Sequence, residues 1–133
     1  MRLWHRRLIP YLPRQHLIAQ WRECCLIARN ISLYGTPDHI LVNKVINYPD
    51  REFNSYTMLV IDEMKKRRYS VDPSRFWRWR TTATLSDDPL IFRGWHNQTY
   101  LTQCYYNLEE KHDCGGISDD EWDILCDGIC EIV

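Results

Sequence analysis

Between Pro13 and Ile31 the apolar residues Leu17, Trp21, Cys24 and Ala28 recur at intervals of four, three and four. That is the period of an α-helix with one face turned to a core. Pro13 suits the first turn of such a helix, and Asn30 and Gly35 offer places for it to stop. The stretch from Cys24 to Ala28 is apolar all round, so the end of this helix is expected to be buried.

The rest of the chain follows the same period. A second helix is expected over 50–68, with Phe53, Tyr56, Val60, Ile61 and Met64 on one face and charges on the other. Its last turn carries Lys65-Lys66-Arg67-Arg68, which complements the helix dipole. A third helix is expected over 97–111, with Leu101, Cys104, Tyr105 and Leu108 inward and Gly115-Gly116 as its break. Ser118-Asp119-Asp120-Glu121 reads as a capping box that opens an acidic C-terminal helix over 118–131, with Trp122, Leu125 and Ile129 as its stripe. Ile40 to Ile46 is short and ambiguous, and helix is favoured. Residues 1–13 and 69–87 read as irregular, the former because Pro10 and Pro13 bracket Tyr11-Leu12. The expected fold is all-α: a compact single domain, 1–133, of three to five helices with long connecting loops.

A chain of 133 residues is long enough to bury a core without disulfide or metal staples. It has no 18-residue apolar run, so no transmembrane helix is expected, and the three early arginines run into Pro10 without the apolar stretch of a secretion signal. The expected address is the cytoplasm, as a monomer. There the six cysteines are expected to be reduced and mostly buried; a four-thiolate zinc site from Cys104, Cys114, Cys126 and Cys130 is the weaker reading, since no Cys-x-x-Cys pair exists.

The net charge of −1 hides an asymmetry. Residues 1–93 hold 16 of the 17 Lys and Arg and 9 of the 18 Asp and Glu, whereas the last 40 residues hold the remaining lysine and nine acids. A basic body with an acidic tail fits either a surface for a polyanion or two solvated faces of opposite sign. Arg75-Phe76-Trp77-Arg78-Trp79-Arg80 interleaves cations with aromatics, as a base-stacking, phosphate-binding loop would, or as a packed loop with its arginines in water.

The first helix also carries Gln15, His16, Arg22 and Glu23. His16 and Glu23 are two turns apart and share a face. Such a group is either a polar network that ties the helix to a neighbour or the lining of a site.

The run Leu12-Pro13-Arg14-Gln15-His16-Leu17-Ile18-Ala19-Gln20-Trp21-Arg22-Glu23 resembles, without gaps, the signature of the pyrimidine-dimer DNA glycosylases of the phage endonuclease V type. Within that family the start Met-Arg-Leu-Trp-His resembles a bacterial branch. Tyr48 to Tyr69 lies on the family's middle helix, and Phe92-Arg93-Gly94 followed by His96 resembles the approach to its third. The resemblance implies a DNA-repair glycosylase and abasic-site lyase that acts on double-stranded DNA containing a damaged or abasic nucleotide, without metal or organic cofactor. In that family the α-amine of the first residue attacks C1′ of the sugar, an imine forms, and β-elimination cuts the strand. Carried over, the nucleophile is Met1 and the carboxylate that shuttles protons is Glu23; Arg2, Gln15, His16, Arg22, Arg93 and His96 bind substrate. An α-amine suits this work because its pKa of about 7.7–8.0 leaves a neutral fraction near pH 7.

Three departures bear on specificity. The family begins Thr-Arg; without a gap Arg2 replaces the nucleophilic Thr, whereas one residue inserted before Gln15 places Met1-Arg2-Leu3 on Thr-Arg-Ile, the preferred alignment because it keeps both amine and arginine. The family's second arginine, three residues past Arg-Glu, is Leu26 here, with Arg29 the nearest cation. Its aromatic C-terminal tail is replaced by the acidic helix. Abasic-site chemistry is therefore a firmer expectation than dimer recognition. The alternatives are a non-catalytic nucleic-acid-binding domain of the same fold and an interaction protein whose acidic tail docks a basic partner.

Overall fold

A computed structural model describes residues 2–35 and 39–132, and every regular element among them is helical. A 3-10 helix (Arg6–Tyr11) leads into α1 (Arg14–Tyr34), α2 (Ile40–Ile46), α3 (Asp50–Lys66), the four-residue α4 (Ser74–Trp77), α5 (Gln98–Asp113) and α6 (Asp119–Ile132).

The helix ends follow from local chemistry. The Pro13 carbonyl accepts the first amides of α1, from His16 and Leu17, both at 3.0 Å. The same helix ends where Gly35 turns to φ 68°, its N–H donating to the Ile31 carbonyl at 2.9 Å. Asp50 and Glu52 open α3 and Lys65 and Lys66 close it, each sign at the end the dipole favours. Asn97 caps α5 by accepting the Tyr100 amide at 2.9 Å. Ser118 and Glu121 exchange hydrogen bonds as a capping box ahead of α6.

α1 packs on α3, α4 lies against α1, and α6 covers the 3-10 helix. The core between them is one cluster. Leu17, Trp21, Cys24 and Ala28 of α1 meet Phe53, Tyr56, Val60 and Ile61 of α3, and Leu101, Cys104 and Leu108 of α5 close it. Leu3, Leu8, Ile9 and Leu12 thread the N-terminal segment through this cluster. α6 docks closely: the Tyr11 ring lies where a side chain at Gly128 would begin, so only glycine fits there.

The all-α single domain is the expected architecture, and the details differ in four places. The N-terminal stretch is irregular only in part: residues 2–5 and 12–13 carry no regular structure, but His5 Nδ1 accepts the Arg7 amide at 3.1 Å and starts the 3-10 helix, which tolerates Pro10. α1 continues to Tyr34, beyond Ile31. The supposed loop 69–87 contains α4, because Phe76 is fully buried against Phe53. With α4 included, six α-helices and one 3-10 helix are present among the described residues, more than the three to five expected.

The Arg75–Arg80 cluster divides between its two readings. Arg80 is an internal strut: its Nε donates to Asn54 Oδ1 at 2.8 Å, Asp50 pairs with it at 3.5 Å, and it lies over Phe53. Arg75 and Arg78 are exposed.

The cysteines are all free, and they are not uniformly buried: Cys24 and Cys104 are, but Cys114, at the C-cap of α5, and Cys130, within α6, are exposed. No group of three or more His, Cys, Asp or Glu that could hold a metal exists among the described residues. No helix among them is long and apolar enough to cross a membrane.

Candidate active site

The site is built on the N-terminal segment and the polar face of α1. Residues 2–5 have no regular partner strand, yet Leu3, Trp4 and His5 are buried, so their backbone groups need partners from elsewhere. Side chains supply them. Gln20, buried in α1, accepts the Trp4 amide at Oε1 (2.7 Å) and donates from Nε2 to the Arg2 carbonyl (3.1 Å). The Tyr56 hydroxyl of α3 donates to the Trp4 carbonyl at 2.6 Å, and the Tyr100 hydroxyl of α5 donates to the Leu3 carbonyl at 2.6 Å. Three helices therefore clamp the segment, and the backbone at Arg2 is held one peptide from the chain's first residue. Met1 itself lies outside the described residues.

On this scaffold opens a cleft of about 610 Å³. One wall is α1, through Gln15, His16, Ala19, Gln20 and Glu23, which lie within two and a quarter turns on one face. Arg2 and Trp4 form a second wall, and Asn107, Lys111 and Gly116 from the end of α5 a third. The Gln15 amide donates to the Gly116 carbonyl and ties the first wall to the third. The Arg2 guanidinium sits between the Trp4 and Tyr100 rings, at 5.6 and 5.8 Å from their centroids.

Two groups in this cleft are electrostatically poised. Glu23 is half-buried, and its Oε1 is closed off from solvent with no hydrogen-bond partner among the described residues. Burial raises its pKa above the ordinary carboxyl value, so it keeps a proton at higher pH than a solvated glutamate. His16 Nδ1 has no partner among the described residues, and burial, reinforced by the Lys111 charge, lowers its pKa. The shift favours the neutral imidazole. A carboxyl that can give and take a proton, a neutral imidazole and flanking cations suit acid–base work on an anionic substrate.

The structure brings four of the sequence-derived residues to this cleft: Arg2, Gln15, His16 and Glu23. It places three elsewhere. Arg22 is exposed and lines a separate depression on the neighbouring face of α1, because one residue along a helix is a rotation of about 100°. Arg93 is exposed and pairs with Asp88 at 2.9 Å. His96 is buried, with its Nδ1 accepting the Arg6 amide at 3.0 Å and its ring against His5, so it supports the N-terminal segment from beneath. Burial lowers its pKa to about 2.

Gln20, Tyr56, Tyr100 and Lys111 are the participants that sequence reasoning missed. Gln20 had a signal: a polar residue three positions before Glu23 and four after His16, on the same face. The two tyrosines and Lys111 act across 52, 97 and more positions of chain and left no local trace.

The family model described as pyrimidine dimer DNA glycosylase matches residues 1–76, which hold the clamped segment, α1, α3 and the Glu23 wall of the cleft. No curated protein and no solved structure matches the chain. The matched segment is more than half of the molecule, and the chain belongs to the pyrimidine dimer DNA glycosylase family.

Proposed function

We propose that this protein is a DNA glycosylase with abasic-site lyase activity, and that the cleft beneath Arg2 is where a damaged or abasic nucleotide reacts. The observation that supports the reading best is Glu23 in the lining of this cleft, one of its carboxyl oxygens buried and without a hydrogen-bond partner among the described residues, with the clamped N-terminal segment as the other wall.

In the proposed reaction the neutral α-amine of Met1 attacks C1′ of the nucleotide. Its lone pair forms the N–C1′ bond as the glycosidic bond breaks, and the base leaves with its electron pair and a proton. Loss of a proton from nitrogen and opening of the sugar give an imine. The imine acidifies C2′; removal of that proton and departure of the 3′-oxygen break the strand. Glu23 serves both proton steps, which its raised pKa suits. Lys111 and Arg2 offer charge to the flanking phosphates, and Gln15 and neutral His16 position the sugar. Reaching C1′ requires the nucleotide to leave the helix stack, at a cost of a few kcal/mol. That cost is smallest for an abasic site, which has no base to unstack.

The test is strand scission of an abasic duplex by untagged protein, alongside Glu23→Gln. Wild-type protein should cut on the 3′ side of the site. The variant should bind the duplex within a few-fold of wild type and cut at least 100-fold more slowly. A variant that cuts at the wild-type rate overturns the role of Glu23, and a wild-type protein that binds without cutting leaves a nucleic-acid-binding domain of this fold.

A further inference from the structure

Beside the cleft, on the adjacent face of α1, lies an open groove of about 890 Å³. Its floor is a helical stripe at the 4-4-3-4 spacing of Arg14, Ile18, Arg22, Cys25 and Arg29. Its far side comes from two other elements: Arg67 and Arg68 where α3 ends, and Arg75 and Arg78 of α4 and its cap. No carboxylate lines it among the described residues.

Among the described residues Arg67 alone in this set has an ionic partner, Glu63 at 2.7 Å, and it is further held by the Leu12 and Pro10 carbonyls. Arg14 rests over the Tyr69 ring at 4.9 Å. Arg22, Arg29, Arg68 and Arg75 are exposed and make no ion pair among the described residues. Converging unpaired guanidinium groups from three elements repel one another, and an arrangement of this kind is relieved by a bound polyanion.

The groove also has direction. Arg14 and Arg29 are 15 residues apart on α1, a length of about 22 Å along the helix axis. In duplex DNA, which rises about 3.4 Å along its axis per nucleotide of one strand, that length corresponds to about six to seven base pairs of axis. Trp79 and Tyr69 stand in the wall between the cations, and Arg22 is the chain neighbour of Glu23. A strand crossing α1 from the groove to the cleft needs to traverse only the helix diameter of about 10–12 Å.

We infer that this groove is a phosphate track for a nucleic-acid strand, gripping several consecutive phosphodiesters on one side of the reacting nucleotide. It rests on the proposed function for the identity of the substrate and extends it by a second, non-reacting contact surface. The α3 terminus and α4 with its cap supply four of its seven arginines, so recognition of the strand depends on elements that hold no part of the cleft.

Binding of a fluorescent duplex containing an uncleavable tetrahydrofuran abasic analogue, measured by anisotropy across a salt series, tests this. Each phosphate contact contributes about 0.9 to the slope of log K against log salt. Arg75→Gln/Arg78→Gln should weaken binding at least tenfold at about 0.1 M salt and reduce that slope by about 1.8. Arg29→Gln, on a different element, should reduce it by about 0.9. Lys65→Gln/Lys66→Gln, exposed beside the groove but outside it, is the comparison. Unchanged affinity and slope in the arginine variants, or an equal loss in the lysine variant, overturns the track. Tripolyphosphate at constant ionic strength distinguishes a strand from a free polyphosphate: displacement only at millimolar concentration supports the strand, and micromolar displacement overturns it. Because binding is read without cleavage, a failed track and a failed lyase give separate results: wild-type scission with unaffected arginine variants sinks only the track, and lost scission with the expected slopes sinks only the chemistry.

Discussion

Gln20→Leu isolates the clamp on the N-terminal segment, because leucine preserves the volume and removes both polar ends. Gln20 is 1 % exposed, so its hydrogen bonds are not shared with solvent. Two of them reach the segment, to the Trp4 amide and the Arg2 carbonyl. A buried hydrogen bond contributes a net of about 0.5–1.5 kcal/mol, and the orphaned Trp4 amide adds a desolvation penalty of about 1–3 kcal/mol. The expected loss is about 2–4 kcal/mol, which for a chain of this size lowers the melting temperature by roughly 10 °C. The second effect is the diagnostic one. A displacement of about 1 Å at a reacting group costs on the order of 100-fold in rate. Single-turnover scission of an abasic duplex, run well below the variant's melting temperature, should therefore slow by about that factor. Glu23 and the cleft walls from α5 remain in place. A variant that is destabilised as expected and yet cuts at the wild-type rate refutes the clamp's role in holding the reactive end.

Three further perturbations follow from the same contacts. Glu23→Gln should stabilise the protein at neutral pH: the folded-state pKa of Glu23 is raised, so the penalty is absent below the unfolded value near 4.5, grows as pH rises through the folded one, and is removed by glutamine. Melting temperatures of both proteins from pH 4 to 8 check this, and a difference that grows toward acid contradicts it. His5 is held down to about 4 and His96 to about 2, both by burial, so stability is full above pH 6.5 and falls as pH drops below it. Unfolding near pH 4.5 should accordingly be accompanied by proton uptake at these two histidines, measurable by titration of their ring resonances. Gly128→Ala brings a methyl into the Tyr11 ring; overpacking of about 1–3 kcal/mol should outweigh the helix-propensity gain of about 1 kcal/mol, and urea unfolding should show a net loss.

The main helices were legible from sequence signals, the long apolar period Leu17–Ala28 in α1 and the capping box Ser118–Glu121 ahead of α6. Gln15, His16 and Glu23 were legible for the same reason, since spacing on a regular helix fixes a shared face. Arg22 shows the limit of that reasoning: adjacency in sequence to Glu23 is a change of face in space. The 3-10 helix and α4 were hidden because their causes are tertiary, a cap by His5 and the burial of Phe76. The resemblance made His96 a substrate-binding residue, and only its long-range bond to the Arg6 amide reveals it as a support. The clamp is the least legible part, since Gln20, Tyr56 and Tyr100 reach one backbone segment from three helices.

The central claim is that the first residue's amine is the nucleophile, with Glu23 serving its proton transfers. Borohydride reduction of untagged protein mixed with an abasic duplex tests it most directly, with the adduct digested and mapped by mass spectrometry. The expected result is a covalent protein–DNA adduct on the peptide that begins at Met1, abolished by acetylation of the α-amine. An adduct on a lysine, such as Lys111, or no adduct under conditions where the duplex is bound, contradicts the claim.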